Sequence, residues 1–86
     1  MSWTLSTASR IDKALAKLPG KDYRSIRVGM DELAQDPYHG DLQKLGGIAW
    51  RKRIGNYRIK FELHVNERVI HIYHIERRVT NTYRKR

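Results

Sequence analysis

Apolar residues recur at helical spacing in the first half of the chain and at alternate positions in the second. Trp3 and Leu5 alternate with polar neighbours, the pattern of a short first strand. Ser6 or Thr7 then stands where a hydroxyl accepts from a free first-turn amide and caps a helix. Ala8, Ile11, Leu15 and Leu18 form one stripe at spacings of 3, 4 and 3, interrupted by Pro19-Gly20. Tyr23, Ile26, Met30 and Leu33 repeat that spacing, and Asp36-Pro37 ends the second helix because the residue before proline avoids helical dihedrals. Two helices with one apolar face each predict an αα-hairpin whose stripes are core.

Residues 38–47 hold Gly40, Gly46 and Gly47 and read as a loop anchored by Leu42 and Leu45. From Ile48 the period becomes two. Trp50, Lys52 and Ile54 alternate with Arg51 and Arg53, Gly55-Asn56 supplies a two-residue hairpin turn, and Tyr57, Ile59, Phe61 and Leu63 alternate with Arg58, Lys60, Glu62 and His64. A second turn near Asn66-Glu67 leads to a strand from Val69 through Ile75. The expected fold is α+β, in the order β-α-α-β-β-β. Its mostly antiparallel four-stranded sheet has the helix hairpin packed on the face bearing Trp50, Ile59, Phe61, Leu63, Ile70 and Ile72. With no linker and no internal repeat, residues 1–86 read as a single domain.

The charges divide as sharply as the periods. Residues 1–43 are neutral, whereas residues 44–86 hold twelve Lys and Arg against Glu62, Glu67 and Glu76 and carry the whole net charge of +9. A one-sided positive field concentrates polyanions, nucleic acid above all. If Gly55-Asn56 is the turn, Arg53 faces Arg58 and Arg51 faces Lys60, so four cations share the sheet face opposite the core. Like charges directly opposite one another are destabilising, so solubility alone would favour interleaved acids; the arrangement predicts an anion site. The second turn adds His71 opposite Glu62 and Tyr73 opposite Lys60, groups suited to bases as well as phosphates. The same register puts His74 on the core face opposite Ile59 and lets Lys52 snorkel at the core edge. Glu62 and His71 read either as an acid/base pair or as a cross-strand polar contact.

Composition removes several classes. With no cysteine there is neither a disulfide framework nor a zinc finger, and four scattered histidines do not make a tetrahedral site, so no metal and no small-molecule cofactor are expected. No stretch approaches the roughly 20 apolar residues of a membrane span, and the first residues lack the basic start and apolar run of a signal peptide. The expectation is a cytoplasmic protein without membrane contact.

Leu45-Gly46-Gly47, the run Trp50-Arg51-Lys52-Arg53-Ile54-Gly55-Asn56-Tyr57-Arg58-Ile59, and the closing Arg77-Arg78 before Tyr83 together resemble the RelE/ParE toxin superfamily. The resemblance spans essentially the whole chain and implies a RelE-like mRNA interferase. Such an endoribonuclease cuts translated messenger RNA in the ribosomal A site, by metal-independent attack of the 2′-hydroxyl on the adjacent phosphate, and is held off by a cognate antitoxin. It also implies the site: Arg51, Arg53 and Arg58 on the scissile phosphate, a further arginine at Arg77 (in the alternative register Arg78), and the C-terminal aromatic at Tyr83. Lys60, His71, Tyr73, Arg78, Arg84, Lys85 and Arg86 complete the expected RNA contacts, with ribosomal RNA included. Several RelE-like enzymes have Lys at the first two positions, whereas Arg51 and Arg53 stay charged and only stabilise developing charge. The proton acceptor then has to be Tyr83, His71, Glu62, or the RNA and ribosome themselves. An acidic antitoxin segment is expected over the Arg51-to-Lys60 face or against the helix pair. Two other classes share these features: a ParE-like DNA gyrase inhibitor and a non-catalytic basic RNA-binding module. The arginine cluster with Tyr83 favours the nuclease.

Deleting residues 84–86 is expected to lower the salt slope of ribosome binding by roughly one unit for each phosphate that is no longer neutralised. Tyr83→Phe should leave binding intact and slow cleavage; equal rates on ribosome-bound message would move the proton-transfer role to His71 or Glu62.

Overall fold

The switch in spacing near Ile48 becomes a switch from helices to a sheet. The computed structural model describes residues 2–77, in the order β1 (Thr4–Thr7), α1 (Ser9–Ala16), α2 (Gly20–Gln35), β2 (Leu42–Gly46), β3 (Ala49–Ile54), β4 (Tyr57–His64) and β5 (Val69–Arg77). The strands form one sheet ordered β1-β5-β4-β3-β2. β1 runs parallel to β5, and the remaining pairs are antiparallel. The sheet therefore has five strands where the sequence predicts four. Residues 42–46, expected as loop, pair with β3 as an exposed edge strand that a bulge interrupts between Lys44 and Gly46.

Both helices cover one face of the sheet. Ile11 and Leu15 from α1 and Ile26, Met30 and Leu33 from α2 meet Tyr57, Ile59, Phe61, Leu63, Ile70 and Ile72, with Trp3 closing the same core. Trp50, Leu5, Ala8, Leu18 and Ile75 pack around it partly buried. Tyr23 departs from the expected stripe, being 41% exposed, and Gly29 takes its place on the buried face of α2. Neither Ser6 nor Thr7 caps α1. Both are absorbed into β1, the N-cap is Ala8 without a side-chain bond, and the Thr7 hydroxyl donates instead to Asp12 Oδ1 at 2.7 Å. The amino-terminal segment is tied at two points, by Trp3 N–H donating to Ala34 O at 2.7 Å and Thr4 N–H to Arg68 O at 2.9 Å. Arg68 makes the β4–β5 turn with φ +58° and lays its guanidinium 5.1 Å from the centre of the Trp3 ring. Among the described residues no helix is long and apolar enough to cross a membrane.

Gly29 sets how closely α2 approaches β3. A Cβ there would fall 2.8 Å from Ile54 Cγ1, well inside van der Waals contact. Gly29→Ala should therefore destabilise by about 1–3 kcal/mol, as overpacked positions do, measured as a lower urea midpoint at unchanged slope. An unchanged midpoint would show that Ile54 moves aside freely.

Candidate functional site

The outer face of the sheet carries the polar positions that alternate with the core residues of β3 and β4. Gly55 takes φ +57°, the first-position requirement of a type II′ turn, and this two-residue connection fixes the β3–β4 register. Arg53 pairs with Arg58, Arg51 with Lys60 and Trp50 with Phe61, as the sequence predicts. Arg51, Arg53 and Arg58 line a concavity of about 200 Å³ together with Asp41 and Gln43 from the β2 side. The cations are not bare. Arg51 donates to Gln43 Oε1, Arg53 stands 3.5 Å from Asp41, and Glu76 on β5 lies 3.6 Å from Arg58 and 3.9 Å from Lys60. Asp41 and Glu76 are acidic neighbours of these cations that the charge pattern alone does not single out.

Glu76 reaches this face through a bulge. β4 and β5 keep register from His64↔Val69 to Phe61↔Ile72, then shift, so that Lys60 faces His74, Ile59 faces Ile75 and Arg58 faces Glu76. Tyr73 is the extra residue and has no Cα partner in β4. Two expectations are corrected. Tyr73 does not stand opposite Lys60, and His74 is not on the core face opposite Ile59; it is on the outer face, and Ile75 packs inward in its place. The inserted residue inverts the alternation for everything after Ile72. It also places Arg77 opposite the buried Tyr57, on the helix side of the sheet, so this register does not bring Arg77 to the concavity beside Arg58. Arg78, Tyr83, Arg84, Lys85 and Arg86 lie outside the described residues.

His74 Nε2 and Glu76 Oε1 are 2.9 Å apart. That bond, followed by the charges of Lys60, His74 and Arg58, holds the Glu76 carboxyl below its ordinary range against the opposing effect of burial. At the other end of the face, Glu62 and His71 are paired in register, but each bonds elsewhere. His71 Nδ1 is 3.1 Å from the Ser6 hydroxyl, and Glu62 Oε1 is 3.1 Å from His64 Nε2. These residues, with Glu67 and Val69, line a separate shallow depression of about 330 Å³. Among the described residues, no three His, Asp or Glu side chains converge in a group able to hold a metal ion.

Two contacts fix the floor. Lys52 is buried on the core side, its Nζ 3.4 Å from His39 O and 3.7 Å from Glu32 Oε1, as expected of a lysine at the core edge. The Tyr57 hydroxyl donates to Asp22 Oδ2 at 2.9 Å, tying the start of β4 to α2, and that bond raises the Tyr57 pKa because it favours the neutral phenol.

A carboxyl with a depressed folded-state pKa stabilises above its unfolded value and loses that contribution as pH falls through the folded one. The stability difference between the parent and Glu76→Gln should accordingly be full above the ordinary value of 4.5 and close as the pH is lowered below it. Denaturation midpoints of the two proteins from pH 6 down to about pH 2.5 measure this; a difference that persists at the acid end would mean that Glu76 acts by packing.

No protein-family model matches the chain, and neither does any curated protein. Solved structures do. The archaeal RelE–RelB complex from Pyrococcus horikoshii OT3 is similar at 27% identity and a TM-score of 0.83, over 94% of this chain and 100% of that one. The isolated E. coli RelE toxin superposes with a TM-score of 0.81 at 13% identity, over 94% of this chain and 89% of that one. The toxin–antitoxin complex RelBE2 from Mycobacterium tuberculosis gives 0.76 at 18%, over 91% and 100%. The latter two share the fold; the first adds sequence identity along nearly the full length of both chains. The chain belongs to the RelE-like toxin superfamily.

Proposed function

We propose that this protein is the toxin of a toxin–antitoxin pair and that it acts as a ribosome-dependent endoribonuclease on translated messenger RNA. The observation that carries this reading is the Arg51, Arg53 and Arg58 concavity on the open sheet face, in a chain of RelE-like fold. Three guanidinium groups around a 200 Å³ hollow suit one phosphodiester. Their planar forks bond the non-bridging oxygens in pairs, and their fixed charge stabilises the pentacoordinate phosphorane that forms when the 2′-oxygen attacks. The charge neutralisation that a divalent ion supplies in many nucleases is then supplied by side chains.

The RNA phosphate competes with Asp41, Gln43 and Glu76 for these guanidinium groups. Exposed ion pairs are worth about 0–1 kcal/mol, so a polyanion that makes several charge-assisted bonds at once displaces them. The same balance suits an acidic antitoxin segment. The solved structure from Pyrococcus horikoshii is a RelE–RelB complex and that from Mycobacterium tuberculosis a toxin–antitoxin complex, and an acidic partner of that class for this chain would offset its +9 charge. The ribosome, with messenger RNA in its A site, is the proposed target in the cytoplasm.

Arg58→Ala is expected to lower single-turnover cleavage of ribosome-bound message about 10²-fold or more and to relieve growth inhibition when expressed without antitoxin. Primer extension on translated messages after induction reads the cuts. Breaks confined to translated codons support the nuclease, whereas growth arrest with intact messages and inhibited gyrase would replace it with the ParE-like activity.

A further inference from the structure

The proposed reaction needs a group that takes the 2′-hydroxyl proton, and a guanidinium offers donors but no acceptor. Of the acceptors weighed from sequence, His71 and Glu62 are bonded to Ser6 and His64 in the separate depression, away from the arginine concavity. The bulge at Tyr73 brings a different pair to the cationic end. His74 stands directly opposite Lys60 and Glu76 directly opposite Arg58, on the face that carries Arg51 and Arg53. We infer that His74 is the general base of this site and that Glu76 is the residue that positions it, an assignment that rests on the nuclease reading above.

The geometry has the three parts that such a base requires. The first is orientation. An ionised carboxylate only accepts, so the 2.9 Å contact puts the imidazole proton on Nε2 and leaves the Nδ1 lone pair as the acceptor. The second is access: the His74 side chain is 41% exposed and that of Glu76 33%. The third is a neighbouring phosphate site. Arg58 and Lys60 flank the pair from β4, and Arg51 faces Lys60 from β3. Arg10 of α1 also reaches this part of β5 and donates to Tyr73 O. Bulges commonly re-aim a side chain next to an active site, and the side chains that this one turns outward are His74 and Glu76.

In the step, the 2′-oxygen bonds to phosphorus as its proton passes to His74 Nδ1, and Glu76 stabilises the imidazolium that results. The bond from phosphorus to the 5′-oxygen breaks, and that oxygen leaves with the electron pair and takes a proton from water. A 2′,3′-cyclic phosphate remains on one fragment and a 5′-hydroxyl on the other. His74 then returns its proton to solvent.

A counter-ion role for Glu76 predicts the opposite outcome, which makes the test decisive. As a mere counter-ion, Glu76 hinders RNA, and Glu76→Gln would free Arg58 and Lys60 to bind more tightly and cleave at least as fast. As the positioning residue, Glu76→Gln binds message-programmed ribosomes at least as well as the parent does but cleaves more slowly in single turnover at saturating ribosome. His74→Ala should lose about 10²-fold or more, regain part of its rate with added imidazole, and lose the acid limb of the parent's pH–rate profile. Thermal melts of each variant check that a loss of rate is not a loss of fold. A His74→Ala protein that cleaves at the parental rate, or a Glu76→Gln protein that cleaves as fast or faster, overturns the assignment and leaves the nuclease reading standing. A parent protein that does not cleave ribosome-bound message overturns that reading itself, and the assignment with it.

Discussion

One unpaired residue in β5 decides what each face of the sheet presents. Strict alternation after Ile72 would drive His74 and Glu76 into the helix-covered core and turn Ile75 out to water, exchanging an apolar burial for a buried charge. The extra position at Tyr73 reverses that assignment, so Ile75 joins the core while His74 and Glu76 join the cations. The bond from Arg10 to the Tyr73 carbonyl uses an acceptor at the irregular position and anchors the bulge to α1. Core packing, the charge balance of the outer face and the position of Arg77 all follow from it.

The outer face would otherwise be costly. Arg53 opposite Arg58 and Arg51 opposite Lys60 are like-charge cross-strand pairs, each unfavourable by a few tenths of a kcal/mol to about 1. Asp41 and Gln43 from the β2 side and Glu76 from β5 relieve that repulsion, through exposed contacts that are individually weak. Weak relief keeps the protein folded without a ligand and still lets an anion take over the guanidinium groups. A face of buried, tightly paired ions would be harder for an anion to open.

What the chain discloses before folding follows the range of the signals. The β3–β4 register was legible residue by residue because a two-residue Gly55-Asn56 turn leaves no other alignment. The helix hairpin was legible from two stripes, although Tyr23 shares the helical spacing and is exposed, while Gly29, outside the stripe, lies against Ile54 of β3. β2 was not legible: its Leu, Gln, Lys, Leu and Gly lie on an exposed edge, where backbone pairing asks little of the side chains. The bulge left a trace that a fixed period hides, since Ile70 and Ile72 are two apart and Ile75 follows at three. Alternation carried past Ile72 accordingly misplaced Tyr73 and His74. The four cations were legible as a cluster, but Asp41 and Glu76 were not, because their contacts depend on β2 and on the shifted half of β5.

The helix side of the sheet also holds the site in shape. Lys52 lies between Arg51 and Arg53 in sequence and points the other way, crossing the core edge to His39 O and Glu32. That contact holds residues 36–41 against α2, and the same segment delivers Asp41, whose carbonyl accepts from Arg53 N–H at 3.0 Å and whose carboxylate meets the Arg53 side chain. Tyr57 does the equivalent at the far end of the hairpin by bonding Asp22, immediately before Arg58. Each of the three arginines on the open face thus has a sequence neighbour anchored to α2 on the closed one. Long, flexible cationic side chains lose entropy when a ligand fixes them, so anchoring the backbone beneath them confines that loss to the side chains and leaves the strands already placed for binding.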